Sequence, residues 1–150
     1  MPARKRPSSF AWFMVHVTFP LIPFLLEGAI RIIVFGDIDW TTFRSSTLAM
    51  SVGILCLFVN RSLIGHEEII PSQEETGNMI AVIHSFSLLA ICCFVFFGVA
   101  VSLSALMEKL ELSSIEPIKH NFDVFILTGA FIPVFLSLWA QRSFNLRAVL

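Results

Sequence analysis

The feature that most constrains this chain is an apolar segment, residues 10–35, that contains two opposite charges, Glu27 and Arg31. About 20 apolar residues suffice for a helix to cross a bilayer, so the segment is long enough to do so. The two charges are four residues apart and therefore share one helical face. Because a charge in hydrocarbon is costly and normally faces protein or water, the segment predicts packing against further membrane helices.

The start of the chain carries Arg4, Lys5 and Arg6 ahead of this apolar segment. A basic start before an apolar run is typical of a signal peptide. This run is too long for the apolar region of one and lacks a small-residue cleavage site. We therefore expect a retained first membrane span, interrupted by Pro20 and Pro23, which lack the backbone donors of the helical hydrogen-bond pattern.

Composition supports a membrane protein. Of the 150 residues, 56% are hydrophobic and 14% are charged, whereas a soluble domain has about 45–50% apolar and about 25% charged residues. The net charge of −1 does not indicate a field that would bind nucleic acid. The cysteines Cys56, Cys92 and Cys93 lie in apolar runs, where free cysteine is most often a small buried hydrophobe.

Four apolar runs, at 10–35, 45–64, 79–112 and 122–140, predict an all-α fold, with residues 1–150 forming a single four-helix transmembrane domain. The third run would be ~50 Å long as a helix, against a hydrocarbon layer of ~30 Å. We expect its end to protrude as an amphipathic stem, with steep tilting as the alternative. Pro133 predicts a kink in the fourth run.

The distribution of basic residues predicts the orientation. With both termini in the cytoplasm, the inner segments hold six basic residues and the outer segments three, a bias that favours this topology. Trp12 and Trp139 would then lie at the inner boundary and Trp40 at the outer one. The expected location is the cell (inner) membrane, crossed several times.

The intramembrane charges are the first candidate site. By helical rise Glu27 would lie ~15 Å below the outer boundary, close to the midplane. Glu27 and Arg31 could serve an ion or proton pathway or a switch. Alternatively, they form a structural ion pair that holds the helices in register.

Two histidines form a second candidate site. His16 and His84 lie at similar depths and could meet across the first and third helices, where a titratable pair can relay protons or bind a metal. The alternative is that each bonds to backbone or to Ser or Thr groups near the interface.

The segment 65–77 is polar and acidic, and its candidate residues are His66, Glu67, Glu68, Glu74 and Glu75. Without an H-E-x-x-H pattern or nearby cysteine it suits zinc poorly, so we expect no metal site. A solvated acidic loop can dock a basic partner surface. We find no phosphate loop, nucleophile elbow or catalytic triad order, so we expect neither an enzyme nor a cofactor.

Four short spans, a small mass, cytoplasmic termini and no soluble domain resemble the membrane component of the Kiwa anti-phage defence system. The resemblance rests on this layout and carries over no site residue. It implies a homo-oligomeric membrane sensor that recruits a soluble DNA-binding effector.

Two functions follow as expectations. The first is a non-enzymatic, oligomeric membrane subunit that senses a membrane or envelope event and signals to a cytoplasmic partner. The second is a small ion or proton channel or transporter that uses Glu27, Arg31, His16 and His84. For the first, we expect a closed cyclic homo-oligomer. Small residues offer close-contact faces: Ala49, Gly53, Gly98, Ser102 and Gly129.

Overall fold

The computed structural model describes residues 8–36, 44–67, 73–110 and 116–146. This part of the chain is helical and contains no strand, which confirms the all-α prediction. Its elements are α1 (Ser9–Phe13), a π-helical segment (Met14–Thr18), α2 (Phe19–Phe35), α3 (Ser45–Glu67), α4 (Gln73–Leu110), α5 (Glu116–Gly129) and α6 (Phe131–Ser143). Four stretches are long and apolar enough to cross a membrane: Ser9–Val34, Ser45–Gly65, Gly77–Met107 and Glu116–Ser143.

The first span contains a π-helical turn that accommodates Pro20. In this turn the N–H of Phe19 donates to the carbonyl oxygen of Met14, five residues earlier. In an α-helix the carbonyl of His16 would need the N–H of Pro20, which does not exist. The wider register of a π-helical turn removes the need for a donor at that position. The helix therefore continues through the prolines instead of ending there.

The first span ends at a glycine. Gly36 adopts the left-handed conformation, with a φ of 75°, and its N–H donates to the carbonyl oxygen of Ile32 at 2.9 Å. A residue with a Cβ rarely adopts this φ, so glycine is the usual choice after a helix. This cap stops α2 at the predicted boundary.

The central element of the bundle is α3. Half of its apolar stretch is buried inside the protein, against 17% in each of the other three spans. It packs against α2, α4, α5 and α6, and against the π-helical segment. Its fully buried side chains form a continuous row: Val52, Leu55, Cys56, Val59 and Leu63. The other spans therefore surround α3 and expose most of their own apolar surface.

Small residues bring α3 close to α4, as their spacing predicts. A Cβ added to Gly53 would lie 3.2 Å from Cζ of Phe94 and 3.3 Å from Cβ of Cys93. Ala49, one turn away, is buried in a cluster with Ala100. Both small residues are therefore used inside the chain and are not available as a contact face for another copy.

The third helix begins before its apolar run. α4 has 38 residues, Gln73–Leu110, which corresponds to ~57 Å. It begins six residues before the apolar run at Met79, and the capping-box spacing of Ser72 with Glu75 predicts a helix start near Ser72. Its length exceeds the ~30 Å hydrocarbon layer, as the prediction of an extended third helix requires.

The fourth span consists of two helices that meet at Ala130. The break is the predicted effect of Pro133, whose ring would clash with the carbonyl of Gly129, four residues earlier. Helix α5 begins at Glu116, six residues before the predicted start of the apolar span at Phe122. Pro117 follows this first residue, and proline is well tolerated in the first turn of a helix.

Candidate functional site

The first polar cluster surrounds the carboxylate of Glu27 on α2. Its Oε1 accepts a hydrogen bond from Nε of Arg31 at 3.2 Å, one turn further along the same helix. Nε of Arg44 lies 3.6 Å from the same oxygen, and the hydroxyl of Thr47 donates to Oε2. One carboxylate therefore contacts two cations and joins α2 to the first turn of α3.

A second carboxylate lies beside this cluster, on α5. Asp123 accepts a hydrogen bond through Oδ1 from the hydroxyl of Ser45 and through Oδ2 from Nζ of Lys119 at 3.1 Å. Ser45 is buried and is the first residue of α3. The start of α3 is thus held from two sides, by Glu27 through Thr47 and by Asp123 through Ser45. We call this part of the bundle the charged end.

The structure confirms the contact between Glu27 and Arg31, while their depth in the membrane stays a prediction. Glu27 reaches Thr47, three residues into α3, so it lies level with the start of the central helix and not with its middle. Helix α2 continues for eight residues beyond Glu27, about 12 Å, past the level at which α3 begins. The pair therefore belongs to one end of the bundle.

Sequence reasoning missed the other members of the charged end. Lys119 and Asp123 have the same four-residue spacing as the predicted pair, so the same rule would have found them. No such signal exists for Arg44, Ser45 and Thr47. Their roles depend on how far α2 and α5 extend beyond the start of α3.

At the opposite end, the indole of Trp12 is fully buried and joins the first span to α3. Its Nε1–H donates to the hydroxyl oxygen of Ser62 at 2.7 Å. The predicted position of Trp12 at the inner boundary stays a prediction, and within the protein its indole faces α3. Trp139 is 54% exposed, and Trp40 lies outside the described residues. We call this part of the bundle the tryptophan end.

His16 lies on the π-helical segment beside Trp12. Its Nδ1 is 2.9 Å from the carbonyl oxygen of Trp12, its ring stacks on the indole with centroids 4.9 Å apart, and its edge faces Phe58. His84 is exposed on α4. Within the described ranges, no hydrogen bond or ring contact joins His16 to His84, so the structure does not bring this predicted pair together.

A further polar contact near the tryptophan end links α3 to α4. Nδ2 of Asn60 donates to the hydroxyl oxygen of Ser87 at 2.8 Å, and Ser87 donates in turn to the carbonyl of Ile83. The carbonyl oxygen Oδ1 of Asn60 is buried and has no hydrogen-bond partner in the part of the chain that the structure describes. Such an atom is costly to leave unpaired, and it offers an acceptor to a water molecule.

The predicted acidic loop is shorter than expected. Helix α3 continues to Glu67 and α4 begins at Gln73, so the backbone of Glu67, Glu74 and Glu75 is helical. His66 also belongs to α3, while Glu68 lies outside the described residues. The prediction of one continuous loop over 65–77 was therefore wrong. The acidic residues instead flank the short connection between α3 and α4.

Two of the three cysteines contact each other between α3 and α4. The thiols of Cys56 on α3 and Cys93 on α4 are in hydrogen-bonding contact, and both lie in apolar surroundings. Over the described ranges, no group of three or more His, Cys, Asp or Glu side chains has the geometry of a metal site.

Comparison with known proteins gives no further assignment. No protein-family model matches the chain, and no curated protein and no solved structure shows significant similarity to it.

Proposed function

We propose that the protein is a non-enzymatic membrane subunit that assembles with copies of itself and signals a membrane or envelope event to a soluble cytoplasmic partner. The observation that carries the proposal is how the charges of the charged end are used. Glu27 contacts Arg31 and Arg44, and Asp123 contacts Lys119. Because both carboxylates are paired with cations, and because Glu27 and Asp123 fasten α3 to its neighbours, they support a structural role better than an ion pathway.

Self-assembly is supported by a face of small residues that the single chain leaves exposed. In the first, third and fourth spans, 17% of the most apolar window is buried inside the protein, against 50% in α3. Gly98 and Ser102 are exposed on α4, and a Cβ added to Gly98 would meet no atom within 4 Å. Exposed small residues allow close packing of membrane helices, so this face of α4 can contact a second copy in a closed ring.

The connection between α3 and α4 provides the surface for the soluble partner. With both termini in the cytoplasm of a cell (inner) membrane protein, Glu67, Glu68, Glu74 and Glu75 lie on the cytoplasmic side. Acidic residues attract a basic protein surface, and their repetition around a ring raises avidity by about 10²–10⁴ when the partner is also oligomeric. The resemblance in layout to the Kiwa membrane component makes antiviral defence the proposed setting.

The test combines assembly and partner capture. Native mass spectrometry in lipid should give a defined homo-oligomer. Capture of a co-expressed soluble partner should weaken as salt rises and when the four glutamates are changed to glutamine. The matched control changes Glu108 and Glu111, near the other end of α4, in the same way. A strictly monomeric protein, or capture indifferent to the four changes, would remove the proposal.

One observation favours the alternative function, a small ion or proton channel or transporter. The buried, unpartnered carbonyl oxygen of Asn60 is a place where water can enter between α3 and α4. Proteoliposomes loaded with a pH-sensitive dye measure proton flux directly. Flux that is abolished by Glu27→Gln or Asn60→Leu would establish the alternative, and its absence would exclude proton conduction.

A further inference from the structure

An apolar cavity of about 150 Å³ lies between α3, α4 and the junction of α5 with α6. Its floor is made by Ala49, Ile126 and Pro133, which are buried. Its mouth is made by Cys92, Phe125 and Ile132, which are exposed. All three mouth residues belong to candidate membrane spans, so the cavity opens sideways toward the hydrocarbon layer.

The cavity exists because the fourth span is interrupted. The break at Ala130 separates α5 from α6, and Gly129 and Ala130 contribute almost no side-chain volume to the lining. A Cβ added to Gly129 would meet no atom within 4 Å. The space is therefore left open by small residues at a helix break.

The chemistry of the lining selects an apolar occupant. Apart from the two thiols of Cys92 and Cys93, every side chain that lines the cavity is hydrocarbon or glycine. A dry apolar cavity of this size binds small apolar groups and excludes water. With its mouth in hydrocarbon, the group most available to enter is an acyl chain of the surrounding bilayer.

The charged end adds a site for the head of the same molecule. Lys119 is seven residues before Ile126 on α5, which places both on one helical face and separates them by about 10 Å along the axis. Its ammonium group contacts Asp123 and its side chain is 34% exposed. An ammonium group has three donors, so Lys119 can hold Asp123 and still donate to a phosphate oxygen.

We propose that this cavity binds one acyl chain of a membrane phospholipid, whose phosphate lies at Lys119. The separation of about 10 Å between Lys119 and Ile126 matches a phosphate joined through glycerol to the upper part of a chain. An anionic phospholipid is favoured, because the charged end carries three cations, Arg31, Arg44 and Lys119, and two carboxylates, Glu27 and Asp123. The proposal does not depend on the proposed signalling function.

The experiment measures lipid retention by the full-length protein. Native mass spectrometry should show phosphatidylglycerol bound after delipidation and titration, with an affinity that falls at least about tenfold in Gly129→Leu, because the new side chain fills the cavity. Gly65→Leu is the matched control, since a Cβ added to Gly65 also meets no atom within 4 Å and Gly65 does not line the cavity. Lys119→Gln should weaken phosphatidylglycerol binding and leave binding of an uncharged diacylglycerol unchanged.

A second measurement needs no variant. Phosphatidylglycerol with a photoreactive diazirine near the middle of one acyl chain should crosslink to the wild-type protein at Cys92, Phe125 or Ile132. Crosslinks confined to other faces would overturn the proposal, as would equal retention by wild type and Gly129→Leu. A change of oligomeric mass in Gly129→Leu without loss of lipid would show that the cavity is a contact between copies, and this too would overturn it.

Discussion

The indole nitrogen of Trp12 donates a hydrogen bond to the hydroxyl of Ser62 over 2.7 Å, and so joins two positions 50 residues apart in the chain. The indole is completely buried. The bond fixes the start of the first span against the end of α3. It is the counterpart of the charged end, where Thr47 and Ser45 fix the start of α3 to α2 and α5.

Removing the acceptor of this bond should destabilise the protein. We expect Ser62→Ala to lower the free energy of unfolding in detergent by about 1 kcal/mol, the upper part of the range measured for hydrogen bonds between membrane helices. Ser85→Ala is the control, because Ser85 is exposed and bonds only to its own helix, at Ala81. Equal stability of the two variants would show that the indole bond contributes nothing.

The charge network predicts an order of stabilities. Glu27→Ala should lower the free energy of unfolding by about 2 kcal/mol, since a charged hydrogen-bonding group is lost and two cations lose a partner. Adding Arg31→Ala should restore part of this loss but not all, because Arg44 still lacks its carboxylate. Glu116→Ala, at the exposed start of α5, is the control.

Chemical denaturation followed by tryptophan fluorescence measures this order. The network would be refuted if the double variant were fully as stable as wild type, or if Glu27→Ala behaved like Glu116→Ala.

The close approach of α3 to α4 should make Gly53 intolerant of large side chains. A Leu side chain there would overlap Phe94 and Cys93, and overpacking of this kind costs about 1–3 kcal/mol or prevents folding. Gly65→Leu should leave the melting temperature nearly unchanged, because a Cβ added to Gly65 meets no atom within 4 Å. The melting temperatures of the two variants can be measured by light scattering. If both glycines tolerate Leu equally well, the close packing of α3 against α4 at Gly53 is contradicted.

The orientation also has a direct test. On the predicted topology, with cytoplasmic termini, a cysteine placed at Ser114 should react with an impermeant maleimide added outside cells, and one at Ser72 should not. Both positions lie outside the described residues. The labelling needs a background in which the native cysteines are changed to alanine. The reverse pattern of labelling would place the termini outside.

The helical fold and the four membrane spans could be predicted from sequence, but several helix ends could not. Apolar length decides whether a segment spans a membrane, and all four predicted spans are present. Hydropathy does not record where a helix continues into polar residues. This is why α4 begins at Gln73 and α5 at Glu116, earlier than the apolar runs indicated.

The candidate site was predictable only within single helices. The contact of Glu27 with Arg31 follows from their spacing, and that of Lys119 with Asp123 could have been found in the same way. The hydrogen bonds from Thr47 to Glu27 and from Trp12 to Ser62 join different helices. They depend on which helix is central and on how far it is shifted along the bundle axis relative to the others. Residue spacing within one helix indicates neither property.

The central position of α3 has a consequence for biosynthesis. This helix leaves the ribosome before α4 and the α5–α6 pair, which cover much of its surface. The buried side chains of α3, such as Val52 and Val59, must therefore face lipid or the insertion machinery while the later helices are translated. Because α3 is apolar enough to cross the membrane alone, it can insert first and acquire its neighbours afterwards. A nascent chain arrested before α4 should consequently be integrated in the membrane but open to proteases and quality control.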